Sequence, residues 1–182
     1  MSDLANGLPG DPSRDENIAR ILRVDQAGEY GAVRIYEGQL AVLGGTSAGE
    51  VIREMAAREQ EHLEAFDKML VDRRVRPTAL SPVWHLAGYA LGVATALIGP
   101  SAAMACTVAV EEVIDEHYAS QAEALGTDEP QLRAQIETFR DDELAHRDEA
   151  LAHGAANAPA YPLLTGAVKA GSRLAIWLST RV

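Results

Sequence analysis

The chain is predicted to be all-α: a ferritin-like four-helix bundle with a long apolar crossover helix and a C-terminal amphipathic helix. Three observations predict it. Apolar residues recur at three- and four-residue intervals between Gly and Pro breakers. Two Glu-x-x-His pairs, Glu59-Gln-Glu-His62 and Glu143-Leu-Ala-His146, lie inside such stretches, and each follows a glutamate in an earlier helical stretch, Glu29 and Glu111. The step from Glu29 to Glu59 nearly equals the step from Glu111 to Glu143, so the second half repeats the first, the signature of a duplicated helical hairpin. Residues three apart on a helix share a face, so each pair aims a carboxylate and an imidazole at one point, and two further helices add one bridging or terminal carboxylate each. This ligand set is the known one of ferritin-like di-iron carboxylate bundles.

Each element follows from local chemistry. Ser13-Arg-Asp-Glu16 reads as a capping box opening a helix in which Ile18, Ile21, Leu22, Asp25, Glu29, Val33 and Tyr36 recur on one side until Gly44-Gly45. Ser47-Ala-Gly-Glu50 reads as a second box, and Ile52, Met55, Glu59, His62, Phe66 and Met69 form one stripe. Ionisable groups inside a stripe of Ile, Met and Phe are costly unless paired or metal-bound, so their placement itself argues for a cation. Ser81-Pro82 opens the crossover helix, and Gly99-Pro100 ends it. Ser101 is expected to cap the helix bearing Glu111, which runs to about Leu125, with Asp115 and Tyr118 on the face of Glu111. Pro130 to His153, stopped by Gly154, places Ile136, Phe139, Glu143, His146 and Ala150 together. In the closing helix, Leu163, Ala167, Ala170, Leu174, Trp177 and Leu178 lie on one side, with Lys169, Arg173 and Arg181 elsewhere.

At 182 residues the chain suits one domain, 13–182, after a flexible N-terminus, 1–12, that carries no signal or transit pattern. The single cysteine, Cys106, excludes an internal disulfide and reads as a packing residue in an apolar run. A net charge of −11 disfavours nucleic acid. Its distribution says more: 73–110 and 150–182 contain no acid and three Lys or Arg each, while the rest of the chain holds all 27 acids. Two apolar segments with a positive fringe, 83–99 and 162–182, suit an anionic lipid surface. The first does not span the membrane, because a crossing would put the helices of Glu59 and Glu111 on opposite sides of the bilayer. Its apolar run is also short of the roughly twenty residues a span needs.

Four carboxylates and two imidazoles balance two divalent cations. Oxygen donors with imidazole suit iron that must meet dioxygen better than a closed structural zinc. Such a centre fits substrate oxygenation, ferrous iron oxidation for storage, or peroxide reduction.

Val24-Asp-Gln-Ala-Gly-Glu-Tyr-Gly-Ala32, Arg34-Ile-Tyr36, Arg74-Val-Arg-Pro-Thr78, Ala103-Met-Ala-Cys-Thr-Val-Ala-Val-Glu-Glu112, Phe139-Arg-Asp-Asp-Glu-Leu-Ala-His146 and the tail from Ala158-Pro-Ala-Tyr161 to Arg181 resemble the demethoxyubiquinone hydroxylase family of ubiquinone biosynthesis. The resemblance runs from about Ile18 to the C-terminus. It implies a di-iron, dioxygen-dependent monooxygenase that hydroxylates the ring of a polyprenylated demethoxyquinone, in its quinol form. It places the iron ligands on Glu29, Glu59, His62, Glu111, Glu143 and His146, and chooses Glu111 over its neighbour Glu112.

The implied partners are the quinone, dioxygen, the membrane surface, other enzymes of the pathway and a prenyl-lipid-binding companion. The implied location is peripheral, on the cytoplasmic face of the inner or cell membrane. No Gly-x-Gly-x-x-Gly follows a strand pattern, so reducing equivalents are expected from the quinol itself, from a partner reductase, or from NADH used without a nicotinamide-binding domain in this chain. Alanine-rich faces suit a homo-oligomer. Asp25 or Asp115 is a candidate to hold a ligand imidazole, the alternative being a plain helix-face acid; Tyr118 is read first as a core tyrosine, with a hydrogen bond to a ligand or a proton or electron shuttle as the alternative; and Trp84, Leu86, Leu91 and Trp177 are expected to gate the site. The alternative, a ferritin-like ferroxidase, has no use for two lipid-seeking segments, and one cysteine leaves no rubredoxin module for a rubrerythrin-type peroxidase.

Overall fold

A computed structural model describes residues 12–182 of the chain, so the N-terminus expected to be flexible lies outside the described residues save for Pro12. The described chain is helical and contains no strand, as the ferritin-like class requires. Its helices are α1 (Arg14–Leu43), α2 (Ser47–Asp72), α3 (Ser81–Ile98), α4 (Pro100–Leu125), α5 (Pro130–Ala152) and α6 (Tyr161–Ser179), with a 3-10 turn at Ala155–Asn157.

The predicted box at the start of α1 forms. Ser13 Oγ accepts from the Glu16 N–H at 3.3 Å, and the Glu16 carboxylate accepts from the Ser13 N–H at 2.7 Å. Two other caps are corrected. Thr46, not Ser47, caps α2: its backbone is extended, and its Oγ1 accepts from the Gly49 N–H at 3.2 Å while Ser47 is already helical. Ser101 does not cap α4, because the helix starts one residue earlier, at Pro100. The cap position falls on Gly99, whose φ of 141° only glycine adopts without strain. Gly154, at φ 85°, turns the chain out of α5 as expected.

Helices α1 and α2 form one antiparallel hairpin and α4 and α5 the other. The third helix of each half lies on the first, α3 along α1 and α6 along α4. The α1–α3 contact is a backbone contact made by glycines. A Cβ on Gly38 would overlap the Tyr89 carbonyl, one on Gly92 the Ile35 carbonyl, and one on Gly88 would stand 2.9 Å from the Gly31 oxygen. Along every bundle helix the polar positions lie between two apolar groups. One group contains Leu22, Phe66, Ile114, Ile136 and Phe139, and the other Tyr36, Ile52, Met55, Met104 and Ala150.

The two apolar segments are not core. Only 22% of α3 is buried, and Val83, Leu86, Leu97 and Ile98 face outward. On α6, Leu163, Leu174 and Trp177 are exposed while Thr165, Val168 and Ser179 turn inward. The positive fringe is smaller than composition implied. Lys169 pairs with Glu112, and Arg173 Nη2 lies 2.9 Å from Glu116 Oε2, so these two bases tie α6 to α4.

Gly92→Ala is expected to lower stability by about 1–3 kcal/mol, because its methyl group meets a backbone that side-chain rotation cannot clear. Gly166→Ala, in open space on α6, is expected to gain up to about 1 kcal/mol from helix propensity. Urea melts of the two variants check the contrast.

Candidate metal centre

Glu29 on α1, Glu59 and His62 on α2, Glu111 on α4, and Glu143 and His146 on α5 all turn inward between the two apolar groups and are buried. They form two overlapping clusters. Glu29, Glu59, His62 and Glu143 bring ligand atoms within 4.8 Å of one another, and so do Glu59, Glu111, Glu143 and His146. Glu59 and Glu143 are common to both clusters, and Glu29 and Glu111 stand at opposite ends.

Each imidazole presents Nδ1 to the carboxylates. His62 Nδ1 lies 3.1 Å from Glu143 Oε1 and 3.8 Å from Glu29 Oε2; His146 Nδ1 lies 2.8 Å from Glu59 Oε1 and 3.6 Å from Glu143 Oε2. Of these approaches only that of His62 Nδ1 to Glu143 Oε1 is a hydrogen bond. Both oxygens of Glu59, Oε2 of Glu29, Glu111 and Glu143, and both ring nitrogens of His146 are buried without a hydrogen-bond partner. So many unsatisfied donor-set atoms converging at one place would cost several kcal/mol unless a cation took them. The donor set fits two divalent ions in charge, in atom type and in direction.

The electrostatics agree. Burial, then the neighbouring Glu143 charge, pushes Glu59 up to about 7. Glu29 and Glu111 are held well above the ordinary carboxylate range, first by burial and then by the charges of Glu59 and Glu143 respectively. Burial also raises Glu143. It would lower His146, but the carboxylates of Glu143 and Glu59 lift that imidazole to about 11.

The two end carboxylates are held by phenols from the opposite half. Tyr118 O–H donates to Glu29 Oε1, and Tyr36 O–H donates to Glu111 Oε1 at 2.9 Å. Burial, followed by the adjoining carboxylate, raises both phenols and keeps them protonated. Tyr118 therefore packs in the core and also bonds the site, the less favoured of the two roles its face allowed. For Tyr36 sequence reasoning gave only a place on the α1 stripe. Yet Tyr36 stands to Glu29 as Tyr118 stands to Glu111, so the repeat contained the signal.

Asp25 and Asp115 do not touch a ligand imidazole. Asp25 accepts from Gln121 Nε2 at 2.7 Å and lies 3.4 Å from His117 Nε2, while Asp115 is paired with Arg140 Nε at 2.6 Å. The acid that meets His62 is Asp142, with Oδ2 3.1 Å from Nε2. It comes from α5, and helical periodicity within α2 could not reveal it.

A cavity of about 330 Å³ opens beside Glu29 and Tyr118, between α1, α4 and the outer helices α3 and α6. Its wall is almost wholly apolar, with Trp84, Leu91 and Ile176 facing Gly28 and Gly31, and Trp84 Nε1–H donates to Ser179 Oγ at 3.0 Å, tying α3 to α6. Of the four residues expected to gate the site, Trp84 and Leu91 line this cavity. Leu86 and Trp177 lie on the outer surface, 69% and 51% exposed.

The family model for ubiquinone biosynthesis protein COQ7 matches residues 16–179. A 3-demethoxyubiquinol 3-hydroxylase of Rhodospirillum rubrum is 62% identical over 176 residues, covering 96% of this chain and 83% of that protein. The NADPH-dependent 3-demethoxyubiquinone 3-hydroxylase, mitochondrial, of Homo sapiens is 50% identical over 182 residues, covering 98% and 84%. The 5-demethoxyubiquinone hydroxylase, mitochondrial, of Saccharomyces cerevisiae is 41% identical, covering 91% and 78%.

The raised carboxylates have a direct thermodynamic consequence. A carboxylate whose folded pKa is raised holds a proton that the unfolded chain releases, so stability is lost as pH rises, between about 4.5 and 7 for Glu59. His146 acts in the same sense: its contribution is complete below the ordinary value of 6.5 and is lost as pH rises towards about 11. Metal-free protein is therefore expected to melt at lower temperature at about pH 8 than at about pH 5. A divalent cation should restore the difference mainly at the higher pH, read by calorimetry with and without metal.

Proposed function

The chain belongs to the COQ7 family of ubiquinone biosynthesis proteins, and on that premise we propose that it is a di-iron hydroxylase of the ring of a polyprenylated demethoxyubiquinol. The observation that carries the reading is the junction of the six-residue centre with an apolar cavity beneath two outward-facing apolar helices. Glu29 and His62 would hold one iron, Glu111 and His146 the other, with Glu59 and Glu143 shared. Two ferrous ions there would supply two electrons to dioxygen, so that one oxygen atom enters the ring as hydroxyl and the other leaves as water.

The protein's own part is placement and exclusion. Gly28 and Gly31 leave open space beside Glu29, so a flat ring can lie against α1. Trp84, Leu91 and Ile176 keep water from it. Tyr118 and Tyr36 fix the two end carboxylates so that these do not swing when the ring arrives. The isoprenoid tail, insoluble in water, leaves the cavity between α3 and α6, whose exposed Leu97, Leu163 and Trp177 suit the acyl boundary of a bilayer. That gives a peripheral protein on the cytoplasmic face of the membrane, drawing substrate from lipid. The relatives in Homo sapiens and Dictyostelium discoideum carry NADPH dependence in their names. For this chain the proposed reductant is reduced nicotinamide, the quinol itself or a partner reductase. A ferroxidase is disfavoured, since oxidation of ferrous ions has no use for an apolar cavity beside the centre or for two outward-facing apolar helices.

Protein loaded anaerobically with ferrous iron, given demethoxyquinol in bilayers and then isotopically heavy dioxygen, is expected to yield a hydroxylated quinone carrying the label by mass spectrometry. Glu143→Ala should yield none. Iron oxidation without labelled quinone, with reductant supplied, would return the reading to a ferroxidase. At Gly28 an added Cβ meets nothing within 4 Å, so Gly28→Leu fills the cavity without a clash at that atom. It should cut kcat/KM for the quinol at least about tenfold. Iron content, measured by elemental analysis, should stay unchanged.

A further inference from the structure

The two Glu-x-x-His pairs are not equivalent, and we propose that Asp142 is a positioning residue that makes the cation position at Glu29 and His62 the tighter of the two. Three side chains of α5 act on the histidine of the other hairpin. Phe139 lies against the His62 ring with centroids 4.0 Å apart, Asp142 Oδ2 accepts from Nε2–H at 3.1 Å, and Glu143 faces Nδ1 at 3.1 Å. A carboxylate on Nε2–H selects the tautomer with its lone pair on Nδ1. It aims that lone pair into the cluster and makes the ring a stronger donor.

The repeat lacks this device on its other side. Asp142 immediately precedes Glu143, and the residue immediately preceding Glu59 is Arg58. Arg58 is exposed and carries no acceptor, and His146 Nε2 is buried with no hydrogen-bond partner. One imidazole is thus oriented and strengthened by an anion on Nε2, while its counterpart has none there and faces carboxylates only through Nδ1. The anchored one belongs to the cluster of Glu29, beside the cavity, so the tighter position is the one the ring approaches. Asp142 is 40% exposed, so its removal leaves no buried hole.

This inference rests on the six-residue centre binding two cations, and the test separates the two claims. Metal-free protein is titrated with Co(II) alone, by calorimetry and by the visible bands of the bound ion. Wild type is expected to bind two ions with distinct dissociation constants. Asp142→Ala should weaken the tighter one by about 10–100-fold and leave the other, and Arg58→Ala should change neither. In the Zn(II)-loaded protein, a slowly exchanging His62 Nε2–H signal in 15N spectra should be present in wild type and lost in Asp142→Ala, a change that a general loss of packing would not confine to one ring. Two ions bound with constants that Asp142→Ala leaves within about twofold, or weakens equally, would overturn the inference while keeping the metal centre. A wild type that binds neither ion would overturn both.

Discussion

Four carboxylates lie buried within a few ångströms of one another, and the rest of the structure is arranged around that repulsion. In water such a group would simply ionise and separate. Here each is fixed on a different long helix, so protons or cations must supply the missing positive charge. The apolar groups above and below the centre, anchored by Phe66 and Phe139 on one side and Met55 and Met104 on the other, hold the helices together against the repulsion and keep water from relieving it. Tyr36 and Tyr118 complete the arrangement. Each phenol comes from the half opposite to the carboxylate it serves, so the two hairpins are linked by the same groups that orient the site.

The outer helices answer a different constraint. A substrate that lives in lipid must reach a centre that excludes water, and an ordinary globular surface offers no such route. Helix α3 approaches α1 closely enough for backbones to touch, through Gly38, Gly88 and Gly92, and leaves its larger apolar side chains for the outside. Helix α6 is tied to α4 by Lys169–Glu112 and Arg173–Glu116 and turns Leu163, Leu174 and Trp177 outward. Between them a cavity runs to Glu29. On the proposed reading, the same apolar residues that would be a solubility liability on a free surface would form the entrance to the site beneath a bilayer.

Internal duplication explains both the symmetry and its failure. Glu29 with Tyr36 repeats as Glu111 with Tyr118, and Glu59 with His62 repeats as Glu143 with His146. The repeat breaks at two places: the Glu29 side opens to the cavity, and its histidine has an acid, Asp142, on Nε2 where His146 has no partner.

By itself the sequence determined the helices, the pairing of ligands within each one, and the family, because helical periodicity and motif spacing are properties of neighbours along the chain. The six converging residues were legible for that reason, save that the family resemblance was needed to choose Glu111 over Glu112. So was the outward turn of two apolar segments that carry no acid. What only the tertiary structure decided were relations between helices: that Asp142, rather than Asp25 or Asp115, meets His62; that Tyr36 reaches Glu111; that Trp84 and Leu91 face the cavity while Leu86 and Trp177 do not; and that two of the closing helix's bases are spent on α4. Each depends on the rotation and axial offset of one helix against another. Those are set by ridge-and-groove packing and by glycine contacts, quantities that the helical period does not contain.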